Sequence, residues 1–106
     1  MNTNDCTFIV PIRRVHFDQG EAEMFASYFK LLQSAGCEVL VVNGSPSSVF
    51  GQHKQTWDGC ARHFAPDKKY KYLNGKVNGV LTGVDQASCE RIIVADDDIR
   101  YLRRVF

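Results

Sequence analysis

The sequence has no long apolar run, no excess of charge of one sign and no signal-peptide pattern in its first residues. No segment approaches the roughly 20 apolar residues that a membrane-spanning helix needs. Thirteen Lys and Arg against twelve Asp and Glu leave a net charge of +1, which predicts no nucleic-acid partner and no general attraction to an acidic membrane. The start MNTNDC lacks the basic and apolar regions of a leader. We therefore expect a cytoplasmic protein, with the cytoplasmic face of the membrane as an alternative.

The cysteines are too widely spaced for a common zinc or redox motif. They include no Cys-x-x-Cys pair and stand at Cys6, Cys37, Cys60 and Cys89. The only metal-like grouping is Cys60-x-x-His63 with His53 nearby, and it lacks a fourth ligand. The same spacing suits one face of a helix. We expect reduced and mostly buried thiols.

Length and composition predict one globular domain, since the chain has 106 residues, 44% of them hydrophobic and 24% charged. Short apolar runs predict buried strands at Thr7–Ile12, Glu38–Val42 and Arg91–Ala95, and Lys69–Leu73 is a weaker strand candidate. A capping box at Asp18 and Glu21 predicts the first helix, which ends before Gly36. A second helix is predicted from the Ser45-Pro46 pair to Pro66, carrying Trp57, Cys60 and Phe64, and a third from Asn74.

The order of elements is thus β-α-β-α-(β)-α-β. Alternation of this kind predicts a Rossmann-like, three-layer α/β/α domain with a mostly parallel sheet. Ligands of such sheets bind at the carboxyl ends of the strands. Three loops therefore become candidates for a site: Arg13–Asp18, Asn43–Ser47 and Asp96–Arg100.

Three consecutive acids, Asp96, Asp97 and Asp98, follow the last predicted strand. Two carboxylates about 5 Å apart repel by roughly 3 kcal/mol at an effective dielectric of 20. Such a cluster favours a bound hard cation, Mg²⁺ or Mn²⁺. The alternative is that Asp98 caps a helix while the other two are solvated.

Three cations stand near the predicted edge. Arg13 and Arg14 follow the first strand, where one could neutralise a phosphate or form only a solvated loop or salt bridge. Lys76 stands in the first turn of the third helix, where the helix dipole disfavours a cation. A cation at this position indicates an anionic ligand or a carboxylate partner. The histidines, with Trp57 and Phe50, are interpreted as structural: His16, His53 and His63.

Four stretches together resemble the nucleotide-binding half of a family 2 glycosyltransferase with the GT-A fold. FIVPIRR is similar to that family's first strand and nucleoside loop, and EVLVVNGSP to its second strand and turn. NGKVNGVLTGVDQAS resembles its G-K-x-x-A-x-N-x-G helix, and RIIVADDDIRY its strand leading into the D-x-D motif. The likeness covers roughly residues 7–101, as one domain over residues 1–106.

The resemblance implies roles for individual residues. Asp96 and Asp98 match the two acids that contact the ribose and the metal-bound diphosphate of a nucleotide-sugar, with Asp97 between them. Lys76 matches the basic residue near the nucleotide. Asn43 stands where the family usually has an Asp, which changes the acceptor offered to the base. The entrance to the nucleoside loop is matched by Pro11, Ile12 and Arg13.

The function implied is nucleotide-sugar binding by the N-terminal portion of a glycosyltransferase, with Mg²⁺ or Mn²⁺ as cofactor and UDP- or GDP-sugars as candidate donors. The chain ends soon after the acidic motif, so we expect an incomplete domain and assign no general base or other catalytic residue. We also expect an exposed sheet edge that promotes self-association. Two alternatives remain: a non-catalytic nucleotide- or nucleotide-sugar-binding module, and a flavodoxin-like signalling domain.

Overall fold

Four parallel strands in one sheet and three helices make up the described part of the chain, residues 5–72 and 74–95 of the computed structural model. The fold is α/β and is compatible with a Rossmann-like domain. The sheet order is β3-β2-β1-β4. In chain order the elements are β1 (Cys6–Ile12), α1 (Gln19–Ser34), β2 (Cys37–Asn43), α2 (Ser47–Thr56), β3 (Arg62–Phe64), α3 (Gly75–Gln86) and β4 (Ile92–Val94).

The three apolar runs form strands, as predicted. β1 and β2 pair along their whole length, from Cys6 opposite Cys37 to Ile12 opposite Asn43. Both are buried almost throughout, which explains why their sequences are continuously apolar rather than alternating. β4 pairs with β1 over three residues. The sheet therefore depends mainly on its two central strands.

Helix α1 begins and ends where its sequence predicts. The Asp18 carboxylate accepts a hydrogen bond from the Glu21 amide at 2.9 Å, so it satisfies one of the amides that a helix start leaves without a partner. The chain leaves the helix through Gly36 at φ 89°. That left-handed conformation is accessible to glycine at little cost, and it turns the chain directly into β2.

The prediction of a long second helix is wrong. Helix α2 ends at Thr56, and Gly59, at φ 78°, redirects the chain. Residues 62–64 then pair with Leu40, Val41 and Val42 as the third strand. Helix-like spacing of Trp57, Cys60 and Phe64 is misleading here, because each of these side chains follows the end of α2.

The weak strand candidate at Lys69–Leu73 is also wrong over its described residues, since residues 69–72 belong to no strand. Side chains hold this segment to α3 instead. The Tyr70 hydroxyl donates to the Asp85 carboxylate at 2.6 Å, and Asn78 bonds both the amide and the carbonyl of Tyr72. Backbone groups paired in this way are not available to a sheet ladder. Leu73 lies outside the described residues.

The helices contact alternate residues of the central strands. Two aromatic side chains of α1, Phe25 and Phe29, lie in one core cluster. The other members of this cluster include Val10 and Ile12 of β1, Val41 of β2, and Trp57. The Trp57 indole N–H donates to the Ala22 carbonyl of α1 at 2.9 Å. Helix α3 instead approaches the intervening residues, with Gly83 against Ile9. Successive strand side chains point to opposite faces, so both sets of β1 residues are covered.

β4 lies at one edge of the described sheet, and Ile93 and Val94 are 38% and 44% exposed. Among the described residues, no helix is both long and apolar enough to cross a membrane.

Candidate functional site

A cleft of about 380 Å³ opens at the carboxyl ends of β1 and β2, beside the start of α3. Its walls contain four glycine or proline residues, three apolar or amide side chains and two cations: Gly44, Gly75, Pro11, Pro66, Ile12, Val42, Asn78, Arg13 and Lys76. Of the predicted site residues, Pro11, Ile12, Arg13 and Lys76 therefore line one cavity. This is the position at which parallel α/β sheets usually bind ligands.

Helix α3 supplies one wall because small residues let it approach the strands. A Cβ at Gly79 would lie 3.1 Å from the Pro11 Cβ and 3.7 Å from the Val42 Cβ. The Asn74 side chain caps the helix by accepting from the Lys76 amide at 2.9 Å. The first turn carries no acidic residue. The partial positive charge of the helix start and the residue Lys76 thus both border the cleft.

The two arginines after β1 have different environments. Arg14 is held in place, because its Nε donates to Glu21 at 2.9 Å and its guanidinium lies 6.0 Å from the centre of the Phe25 ring. Its backbone amide also donates to the Ser45 hydroxyl at 2.9 Å. Arg13 is exposed and lines the cleft. Of the pair, Arg13 is therefore the residue placed to meet an anion.

The β1 and β2 ends are tied to each other at the mouth of the cleft. The Gly44 amide donates to the Ile12 carbonyl at 2.9 Å. The Ser45-Pro46 pair does not begin α2 as predicted: the Ser45 hydroxyl accepts from the Arg14 amide, and Pro46 is the cap residue, with no side-chain bond, of a helix that starts at Ser47. The turn is fixed by these cross-strand bonds rather than by helix capping.

Asn43 is buried below the turn and does not line the cleft. Its Nδ2 lies 2.8 Å from His53 Nδ1 and 3.0 Å from His63 Nε2, and its Oδ1 accepts from the Ser45 amide at 3.0 Å. An amide nitrogen only donates, so both ring nitrogens accept and both histidines are neutral. In this arrangement Asn43 shapes the turn, and its contact with a base stays a prediction.

The two histidines are structural, as the sequence predicts. Burial lowers the pKa of His53, with a further decrease from Arg14 that opposes the effect of Glu21. Burial, together with the charges of His53 and Lys54, lowers the pKa of His63 to about 4. Aromatic stacking adds to their packing: His53 lies 4.3 Å from Trp57 and His63 lies 4.4 Å from Phe50, between ring centroids.

The predicted metal ligands, Asp96 and Asp98, lie outside the described residues, as does Asp97. Across residues 5–72 and 74–95, no three His, Cys, Asp or Glu side chains are grouped to hold a metal ion, and the Cys60, His63 and His53 spacing forms no such cluster. The described wall of the cleft thus carries cations rather than carboxylates. Such a wall is suited to the anionic part of a ligand. A metal ion at this site would need the carboxylates of Asp96 and Asp98 as ligands.

Several cleft residues are not identifiable from the sequence. From the sequence, Pro66 is predicted only as the end of a helix, and Val42 is predicted only as part of a strand. Asn78 and Gly75 lie in a stretch whose glycine and asparagine content is the one available signal.

No family model, curated protein or solved structure gives a significant match to this chain.

Proposed function

We propose that the cleft binds the nucleotide part of a nucleotide-sugar, and that this chain is the Rossmann-like, three-layer nucleotide-binding portion of a glycosyltransferase of family 2 type. The observation that carries the proposal is the presence of Arg13, Lys76 and the start of α3 in one cavity at the carboxyl ends of the central strands. A diphosphate is an anion of the charge and size that such a group of donors binds.

The remaining walls suit a nucleoside. Pro11, Ile12 and Val42 provide an apolar surface next to the cations. Binding pockets for small molecules usually combine such a surface with a few convergent polar groups. Asn78 cannot serve fully as one of them, because its side chain already bonds Tyr72 through both polar atoms. The backbone at Gly75 is open to a ligand, since this residue has no side chain, whereas the Gly44 amide already donates to the Ile12 carbonyl.

The metal assignment rests on the family resemblance. When bound at Asp96 and Asp98, Mg²⁺ or Mn²⁺ would neutralise the diphosphate leaving group. Arg13, which follows β1, and Lys76, in the first turn of α3, would contribute further positive charge. A base to deprotonate an acceptor hydroxyl is not assigned to any residue of this chain.

A non-catalytic nucleotide-binding module is the second candidate, because the same cleft would serve it without an acceptor site. A flavodoxin-like signalling domain is disfavoured by two observations. Its sheet order is 2-1-3-4-5, whereas the described order is β3-β2-β1-β4. Such domains also require acids after the first strand, where this chain has Arg13 and Arg14.

Calorimetric titration with UDP and GDP, in Mn²⁺ and in EDTA, tests the proposal. We expect binding that weakens in EDTA and in Asp96→Ala and Asp98→Ala. Binding indifferent to the metal and to both substitutions would refute the metal assignment. Metal-dependent binding without sugar transfer is expected of both candidates, because no acceptor base is assigned to this chain. Sugar transfer or hydrolysis of the nucleotide-sugar would exclude the non-catalytic module.

A further inference from the structure

Cys6 and Cys37 form a thiol pair at the amino ends of the two central strands. They are register partners in β1 and β2, and their sulfur atoms lie 3.3 Å apart. Neighbouring strands are about 4.8 Å apart, which is within the range of Cα separations that disulfides bridge. A small movement of the two sulfurs would therefore bring them to bonding distance without separating the strands.

The pair is buried but can be reached by a small reagent. Cys6 and Cys37 are 6% and 9% exposed. Cys37 also lines a cavity of about 330 Å³, with Gln33, Glu38, Val39 and Arg62. This cavity is distinct from the cleft, with which it shares no lining residue. The thiols and the cleft therefore lie at opposite ends of the β1–β2 pair.

We propose that Cys6 and Cys37 are a site of reversible disulfide formation, with a low-molecular-weight disulfide such as oxidised glutathione as the oxidant. The Cys37 thiolate attacks one sulfur of the reagent, so that a mixed disulfide forms and one thiol is released. The Cys6 thiolate then attacks Cys37 Sγ and releases the second thiol. The protein loses two electrons and two protons, and the reagent gains them as two thiols.

The environment of Cys37 sets the conditions of this reaction. Burial, with the Cys6 contact and the nearby Asp5 and Cys89, raises the pKa of Cys37 to about 11. The thiolate is the attacking species, so exchange is slow near pH 7 and accelerates as the pH rises. This behaviour distinguishes the pair from an acidic catalytic thiol.

The test is incubation of the full chain with oxidised glutathione at about pH 7 and about pH 9, followed by intact mass measurement and peptide mapping after acid quenching. We expect a mass loss of about 2 Da with a Cys6–Cys37 link, formed faster at the higher pH and reversed by dithiothreitol. The link should also form in Cys60→Ser and in Cys89→Ser.

A Cys6→Ser variant serves as the second measurement. It retains Cys37 and its cavity, so it should accumulate a glutathione adduct on Cys37 rather than an internal link. Unreacted protein in this variant would contradict access through the cavity. Four unmodified thiols in the native chain, or a link that involves Cys60 or Cys89 instead of the Cys6–Cys37 pair, would overturn the proposal.

Discussion

Asn43 at the end of β2 donates a hydrogen bond to Nδ1 of His53 in α2, at 2.8 Å. Its second amide hydrogen serves His63 of β3 at 3.0 Å. One buried amide therefore joins two strands and a helix directly beneath the turn that borders the cleft. The bonds exist only while both accepting ring nitrogens are unprotonated, so the stability of this region depends on pH.

The free energy of unfolding should fall as the pH decreases from 6.5 toward 4. The ordinary pKa of a histidine is 6.5, whereas the pKa of His63 in the folded protein is about 4. Within that window the unfolded chain binds more protons than the folded one, so stability is complete above 6.5 and is lost progressively below it. We expect His63 to contribute about 2 kcal/mol to the free energy of unfolding, a figure that already allows for the partial exposure of the ring.

Urea unfolding between pH 4 and 7 measures this slope. His63→Gln removes one of the two titrating rings and retains an acceptor, so it should reduce the slope, and His53 accounts for the part of the slope that this cluster keeps. His16→Gln, in an exposed loop, is the matched control and should keep the native slope. An unchanged slope in His63→Gln would show that His63 is not responsible.

Replacement of Asn43 by Asp should destabilise the protein at neutral pH by about 1–3 kcal/mol. A carboxylate cannot donate to either ring, so each neutral imidazole must move its proton to the nitrogen that faces residue 43, and a buried charge replaces a neutral amide. It also favours ring protonation and so raises the pKa of His53 and His63. The loss should therefore shrink near pH 5, as measured by NMR titration of the rings and thermal unfolding. Stronger uridine-nucleotide binding in the same variant would instead support base recognition by residue 43.

Gly83→Ala should destabilise the domain by about 1–3 kcal/mol. A Cβ at this position would lie 2.6 Å from Ile9 Cγ2, so α3 would have to move away from the sheet. Gly51→Ala is the control in α2, because its Cβ would meet no atom within 4 Å. That change should stabilise the helix by up to about 1 kcal/mol. Denaturant unfolding distinguishes the two, and equal effects would contradict the packing of α3.

Local chemistry makes the main strands and helix ends predictable. β1 and β2 are apolar at nearly every position, and the cap at Asp18 and the turn at Gly36 depend only on neighbouring residues. The third strand is not predictable from the sequence, because it is only three residues long and two of them, Arg62 and His63, are polar. Their pairing with β2 depends on where Gly59 directs the chain, which no local pattern encodes.

The site is predictable where it follows from topology. Parallel strands bring their carboxyl ends together, which places Arg13 at the sheet edge, and the start of α3 places Lys76 nearby. The Asn43, His53 and His63 cluster is not predictable, because its members come from separate elements with no periodic spacing. The same holds for the contact of Cys6 with Cys37, which depends on strand register.

The most direct test of the account is the affinity of UDP and GDP for the native chain and for Arg13→Ala and Lys76→Met, measured in Mn²⁺ by calorimetry. Removal of one charge-assisted contact to the diphosphate should weaken binding roughly tenfold or more. Lys30→Met, on the exposed surface of α1, should bind as the native chain does. Two results would contradict the assignment of the cleft as a nucleotide site. One is no nucleotide binding by the native chain, and the other is binding by both cleft variants that is as strong as that of the native chain.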